Sequence, residues 1–432
     1  MIKRMYIKFV TPLRSGFVRS VTILTGGTVF AQGLMAVSLP FLTRLYAPEN
    51  FSFLAVYVAI VGIVVAVSCL RLNITVPLPK SDGDGMALVI LSILAATVVS
   101  CFLAVPVVFA PLFVAKLIGQ PTMAPLLWMI PVGCWVASVY TALQYWASRQ
   151  KRFGLITRTR VTRAVGGTGT QLGIGLTAPG PFGLMFGHMI YGGLGIAGLA
   201  KSIWTHDREA LGAVSFRNMR HMLWAYRRFQ IWSVPEALFN TIGVQVPVII
   251  IAAMAVGPEA AFVMLAMRVI GLPAGLVGAS VAQVYLAEAP HKLRNGTLGL
   301  FTRETMIALL KAGAPPLLLV GAASPFVFGI IFGTEWERAG ILVAWMTPWF
   351  ILQFVTSPVS MVLHVNGELR FAMLLQAAGL VLRLGAVLGA IIWAPNWTGE
   401  AYAVSGFLFY GGYLIVMLVH TARINPDRLQ SA

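Results

Sequence analysis

Arg268 and Arg383 are the two residues whose placement calls for chemistry. Each interrupts a long apolar run: Arg268 lies about ten residues into the stretch 259–286, and Arg383 near the middle of 370–393. At about 1.5 Å of rise per helical residue, both sit near the midplane if those stretches cross a bilayer. An Arg at the centre of a spanning helix costs about 2.5–3.5 kcal/mol on insertion scales, and such residues face a bundle interior or a water-filled cavity. Structural ion pairs would need acids at matching depth. None is found: Glu236 sits at the cytoplasmic end of the run 231–255, and the other acids occupy loops or span ends. An unpaired cationic cavity suits phosphate or pyrophosphate, whose oxygens match the guanidinium fork. The competing reading is an Arg hydrogen-bonded to the carbonyls of a broken helix.

Other polar residues in the apolar runs are weaker pointers. Lys311 is only about six residues from its span end, so it either joins the cavity or snorkels to the headgroups. Arg71 closes one apolar run, but Leu72 to Leu78 continues it, which would place Arg71 deeper. Arg44, at the far end of the first run, is an interfacial anchor or a gate residue. Gln32, Gln144, Asn240, Gln245, Gln283, Gln353 and Gln376 read first as helix–helix glue. Their number also suits a hydrated interior that passes sugars, with Gln32, Gln245 and Gln283 as cavity candidates. His188 and His364 are solitary titratable groups within or at the end of spans.

The elements that hold these residues follow from composition. The 432 residues are 58% hydrophobic and only 10% charged, with a mean hydropathy of +0.84. So few charges cannot cover a water-facing surface, which excludes an ordinary cytosolic enzyme and a disordered or fibrous chain. A spanning helix needs about 20 mostly apolar residues. Twelve stretches qualify: 20–43, 52–72, 86–110, 122–147, 162–178, 182–204, 231–255, 259–286, 306–331, 339–364, 370–393 and 401–420. The fifth is the poorest, short and rich in glycine. The expected fold is therefore an all-α polytopic membrane protein.

Charge gives the sidedness. With the N-terminus in the cytoplasm, 25 of 31 Lys and Arg fall on the inner side, only Arg44, Lys116 and Arg338 on the outer, and Arg268, Lys311 and Arg383 inside spans. This skew follows the positive-inside rule and predicts twelve spans with both termini cytoplasmic. The net charge of +17 then reads as topogenic, with no nucleic-acid partner. The first 19 residues carry five cations and no small-residue cleavage site, and read as a retained tail. Cys69, Cys101 and Cys134 lie in apolar stretches, so neither disulfides nor zinc is expected.

No hydrolase, kinase or metal motif is present, and no cofactor is expected. Asp82-Gly83-Asp84 sits in a turn between spans and reads as solvated. The glycines Gly166, Gly167, Gly169, Gly173 and Gly175 read as close helix packing. Asn73, Asn295 and Asn396 open formal glycosylation triplets that chance explains. Outer connections of about a dozen residues or fewer leave no lobe for a membrane glycosyltransferase or polymerase. Internal duplication is common among transporters. Ala47-Pro48-Glu49 aligns with Gly257-Pro258-Glu259 at an offset of 210 residues, close to half the chain. Two parallel six-helix bundles around a shared cleft follow, with lobes at 1–204 and 231–432 and a basic amphipathic linker at 205–230.

Several runs resemble bacterial polysaccharide exporters and O-antigen flippases of the multidrug/oligosaccharidyl-lipid/polysaccharide exporter superfamily. They are Leu42-Thr43-Arg44-Leu45-Tyr46-Ala47-Pro48-Glu49-Asn50-Phe51, Arg71 with Pro77-Leu78-Pro79, Tyr226-Arg227-Arg228-Phe229, and Arg268-Val269-Ile270-Gly271-Leu272-Pro273. Phe332-Gly333-Thr334-Glu335-Trp336 with Ala339-Gly340, and Ser357-Pro358, complete an ordered series over most of the chain. Ser52 departs from the family pattern, which commonly has Gly there. The resemblance implies movement of an undecaprenyl-pyrophosphate-linked oligosaccharide across the bacterial inner membrane by two rocking six-helix lobes. It also implies membrane lipids as surroundings and a polysaccharide polymerase and chain-length proteins as partners. Arg44, Arg71 and Arg268 fall within the matching motifs; Arg383 rests on depth alone. The alternatives are a cation-coupled multidrug exporter, which needs a deep acid, and a membrane enzyme of envelope synthesis. A major-facilitator sugar transporter lacks support, because 71–85 does not carry that family's Gly-x-x-x-Asp-Arg-x-Gly pattern.

Overall fold

A backbone in lipid has to satisfy its own N–H and C=O groups, and the long apolar runs do so as helices. The computed structural model describes the backbone of residues 15–360, 362 and 369–422. Side chains are described for the same set less 15–25, 228, several positions between 273 and 294, 369–370 and 420–422. No strand occurs among the described residues.

Twelve long helices carry the structure. The first six are α1 (Ser15–Leu45), α2 (Pro48–Ser68), α3 (Asp82–Phe109), α4 (Met129–Arg149), α5 (Phe153–Thr177) and α6 (Pro181–His206), the last interrupted at Leu194–Gly195. The second six are α7 (Arg227–Met254), α8 (Glu259–Arg294), α9 (Leu298–Phe332), α10 (Glu337–Thr356), α11 (Leu369–Trp393) and α12 (Thr398–Ala422). Among the described residues, nine helical segments are long and apolar enough to cross a membrane by length and composition, and α4, α5 and α8 fall outside that set.

One expectation needs correction. The sequence expects the fifth span at 162–178, with the basic residues 149–163 in a connecting loop, yet α5 starts at Phe153. Arg158, Arg160 and Arg163 therefore lie on a helix rather than in a loop. The connection between α4 and α5 is only residues 150–152. Partners for two of these arginines explain the difference: Arg160 Nη1 donates to Thr28 Oγ1 of α1 at 2.6 Å, and Arg163 Nε donates to the Tyr191 carbonyl.

Helix pairing repeats after six helices. In the first half α1 packs on α5, α5 on α6, α3 on α4, and α4 on α6. In the second half α7 packs on α11, α11 on α12, α9 on α10, and α10 on α12. The central helices match as well: α2 touches α4 and α6, as α8 touches α10 and α12. The chain thus forms two pseudo-symmetric six-helix lobes. Between the lobes, α2 packs closely on α7 and α8, while α1 touches α8 and α9 more lightly.

The turns at 69–81, 150–152 and 207–226 define a basic end of the molecule. There Arg149 closes the turn before α3, donating to the carbonyls of Val76 (3.0 Å), Pro79 (2.7 Å) and Ser81 (3.1 Å) and pairing with Asp82. Asp82 itself opens α3 as a first-turn acid, where the helix dipole favours it. The 205–230 segment folds as two short helices, Arg208–Gly212 and Phe216–Ala225, which pack on α3 with Met222 buried. At the opposite end Arg338 bridges Glu259 and Glu400, tying the starts of α8, α10 and α12 together.

Candidate functional site

Arg268 stands nine residues after Glu259, so the Arg338 network anchors the end of its helix about 13 Å away along the axis. Its electrostatic neighbours are Tyr191 and His188 of the other lobe's α6. The His188 ring meets Tyr57 of α2 edge-on at 5.5 Å and lies 6.0 Å from Tyr191. Arg163 adds a second cation beside His188. Its guanidinium carbon is 3.6 Å over the Tyr140 ring and 4.5 Å over the Tyr191 ring, a cation–π arrangement that fixes its position. Arg268 has no hydrogen-bond or ion-pair partner among the described residues, and it is partly exposed. The arrangement is a cation at mid-depth on the lobe seam, with Tyr191 and His188 of the other lobe as its electrostatic neighbours.

Arg71 lies in a second place, at the basic end. Leu70 and Arg71 both adopt left-handed backbone (φ 50° and 60°), a conformation that non-glycine residues hold only where their surroundings enforce it. The chain reverses there after α2, and Arg71 Nε donates to Ser233 Oγ of α7 at 3.1 Å. Arg71 lines a cavity of about 420 Å³ together with Glu236, Asn240, Gln376, Tyr410 and Tyr413. Glu236, expected at a span end, is thus an acid facing a cavity and an electrostatic neighbour of Arg71.

Arg383 is 1% exposed. It sits in a box of aromatic rings within the second lobe, 4.5 Å from the Phe409 ring and 5.6 Å from those of Trp349 and Tyr410. Its Nε and Nη2 are buried with no hydrogen-bond partner among the described residues. Tyr410 is also a wall of the Arg71 cavity, so Arg383 lies behind that cavity.

The remaining candidates are dispersed. Arg44 is exposed at the end opposite the basic one and donates from Nη2 to the Ile330 carbonyl across the lobes at 3.2 Å. Lys311 is exposed on α9, and Gln32 is half-buried on α1. Gln245 of α7 packs against α2 where Gly62 leaves room; a Cβ at Gly62 would lie 3.3 Å from its Nε2. Gln283 belongs to α8, but its side chain lies outside the described residues, as does all of His364. Sequence reasoning missed Arg163, Tyr57 and Tyr191 as members of the central group. The available signal was Arg163 falling i+3 from Arg160, one face of a helix that begins early.

Two six-helix lobes meeting along a seam, with apolar helices long enough to cross a membrane, define an all-α multi-pass membrane protein. The structure is similar to the eukaryotic MATE transporter AtDTX14, with a TM-score of 0.60, 12% identity, and coverage of 96% of this chain and 100% of that one. A MOP superfamily transporter from Pyrococcus furiosus, described as having a binding pocket of reversed polarity, matches with a TM-score of 0.60 and 12% identity over 94% of this chain and 96% of that one. A point mutant of the Vibrio cholerae MATE transporter VcmN gives a TM-score of 0.57 and 12% identity over 95% of this chain and 97% of that one. Identities this low speak for the fold alone. No curated protein matches the sequence. The sequence pattern of the polysaccharide biosynthesis protein family matches residues 41–340, and the chain belongs to that family.

Proposed function

We propose that this protein is a flippase that carries a polyprenyl-pyrophosphate-linked oligosaccharide across the bacterial inner membrane by alternating access, with both termini and the basic end in the cytoplasm. It catalyses no bond-making step in this reading. The observation that carries it is Arg268: a guanidinium at mid-depth on the lobe seam, with no hydrogen-bond or ion-pair partner among the described residues and a second cation, Arg163, beside His188. A guanidinium offers a planar, charge-assisted fork that matches phosphate oxygens. The family match to polysaccharide biosynthesis supports the sugar cargo. A membrane potential negative inside favours outward movement of an anion, so a nucleotide is not needed to drive the step.

The test is export of surface polysaccharide by cells carrying Arg268→Ala or Arg268→Lys at matched membrane levels. Losing one charge-assisted bidentate contact removes about 1.5–3 kcal/mol, so export should fall at least tenfold in Arg268→Ala and recover in part in Arg268→Lys. Unchanged export in Arg268→Ala would refute the anion grip. It would shift weight to a cation-coupled exporter, which the cavity-facing Glu236 favours.

A further inference from the structure

Another cavity belongs to neither place above. It holds about 620 Å³ at the basic end of the first lobe, between α5 and the second segment of α6, Ile196–His206. Volumes of this order are those of small-ligand sites. Its cations are Arg152, Arg158 and Lys201. Arg152 is already neutralised, gripping Asp207 through both terminal nitrogens at 2.7 and 2.6 Å. Arg158 and Lys201 are exposed, and neither has a hydrogen-bond or ion-pair partner among the described residues. They stand at equal depth: Arg158 is five residues from the start of α5 and Lys201 five from the end of α6, about 8 Å each. Two free positive charges therefore face one opening at one level.

The cavity turns away from the lobe seam. On α5, Arg160 bonds Thr28 of α1, and the Thr157 side chain fills the space above Gly27 of the same helix. At 100° per residue, Leu155, Arg158 and Thr162 lie on the other side of α5. Because α1 is a helix of the seam, this other side is the outer flank of the lobe, which meets lipid in a polytopic protein. Polarity grades along it. Arg158, Thr162 and Val165 follow at i, i+4 and i+7 on one stripe. Leu194 and Val165, 42% and 50% exposed, lie deeper than the two cations.

We infer that this cavity is a binding site for the phosphate of an anionic membrane phospholipid, held by Arg158 and Lys201, with its acyl chains along Leu155, Leu194 and Val165. Basic pockets between spanning helices are a recurrent headgroup-binding chemistry. The flank position favours a bulk phospholipid over the lipid-linked cargo, which carries phosphate too but has to reach the seam. The inference does not rest on the flippase reading, since any membrane protein with this flank would bind the same lipid.

Native mass spectrometry of the full-length purified protein tests it, with phosphatidylglycerol or phosphatidylcholine added at graded concentration. Phosphatidylglycerol should be retained in preference, and Arg158→Gln with Lys201→Gln together should weaken that retention about 30-fold, given the usual contribution of each basic residue at a membrane surface. Both side chains are exposed and unpartnered, so the variant should fold; an unchanged melting temperature verifies this. Arg268→Gln should retain phosphatidylglycerol as the unmodified protein does. Equal retention of the two phospholipids, or equal retention by protein and double variant, would overturn the site. Displacement of the phospholipid by an equimolar polyprenyl diphosphate would overturn the assignment of its source.

Discussion

Trp336 joins the lobes at the end opposite the basic one, and its removal should shift the balance between closed and separated lobes. The side chain is 1% exposed, and its Nε1 donates to the Thr43 carbonyl of α1 at 3.1 Å. Its ring meets Phe51 edge-on at 4.9 Å and Phe262 at 5.8 Å. Trp336→Phe keeps most of the apolar contact but leaves the Thr43 carbonyl without its donor. With the lobes together that group stays buried, at a cost of about 1–3 kcal/mol; with the lobes apart, water satisfies it. The cost therefore falls on the closed state alone, and a tenfold population change corresponds to about 1.4 kcal/mol. The separated population should rise between about fivefold and 140-fold on that basis. The assay is the distance distribution between spin labels at Glu49 and Glu335, exposed residues of opposite lobes at this end, in a chain with Cys69, Cys101 and Cys134 replaced. A distribution identical in the two proteins would refute the reasoning, because the bond would then be made equally in both states or in neither.

Two further outcomes test the packing. Arg338→Met should destabilise the protein by about 3–5 kcal/mol, because Glu259 and Glu400, with side chains 10% and 6% exposed, lose their shared cation and face each other; a small change in melting temperature in detergent would show the network to be ornamental. Arg383→Met should leave the melting temperature nearly unchanged. The lost cation–π contacts, about 0.5–2 kcal/mol each, and the lost hydrogen bond to Tyr410 are offset by relief of the two unpartnered buried nitrogens, and a loss of several kcal/mol would make Arg383 a structural cation.

How far the sequence could be read differs between fold and site. Each of the twelve apolar runs falls on one of the twelve long helices, and nine of these are apolar enough over about 20 residues to report lipid contact directly. The fifth helix escaped that reading in its first half, where Arg158, Arg160 and Arg163 lower the hydropathy. A window average cannot see that Arg163 lies between two tyrosine rings or that Arg160 reaches Thr28. The depth of Arg268 was legible by counting, whereas its neighbours on α6 come from the other lobe and depend on how the lobes meet. Arg383 shows the limit of depth as evidence. Midway along a helix it has the register of a cavity residue, yet Trp349, Phe409 and Tyr410 enclose it. Glu236 is the converse case, a residue near a helix start that faces a cavity because its helix runs beside the strained turn at Leu70 and Arg71.

The seam between α5 and α6 has a mechanical consequence. Gly167 and Gly187 bring the two backbones so close that a Cβ on either would lie 3.0 Å or less from the other's carbonyl oxygen. Gly175 and Gly183 both rest against Tyr46, whose hydroxyl donates to the Gln171 carbonyl at 2.6 Å. With no rotatable group interposed at those glycines, the joint has little compliance. A displacement at Tyr46 would therefore carry the two helices together as far as the break in α6 at Leu194–Gly195.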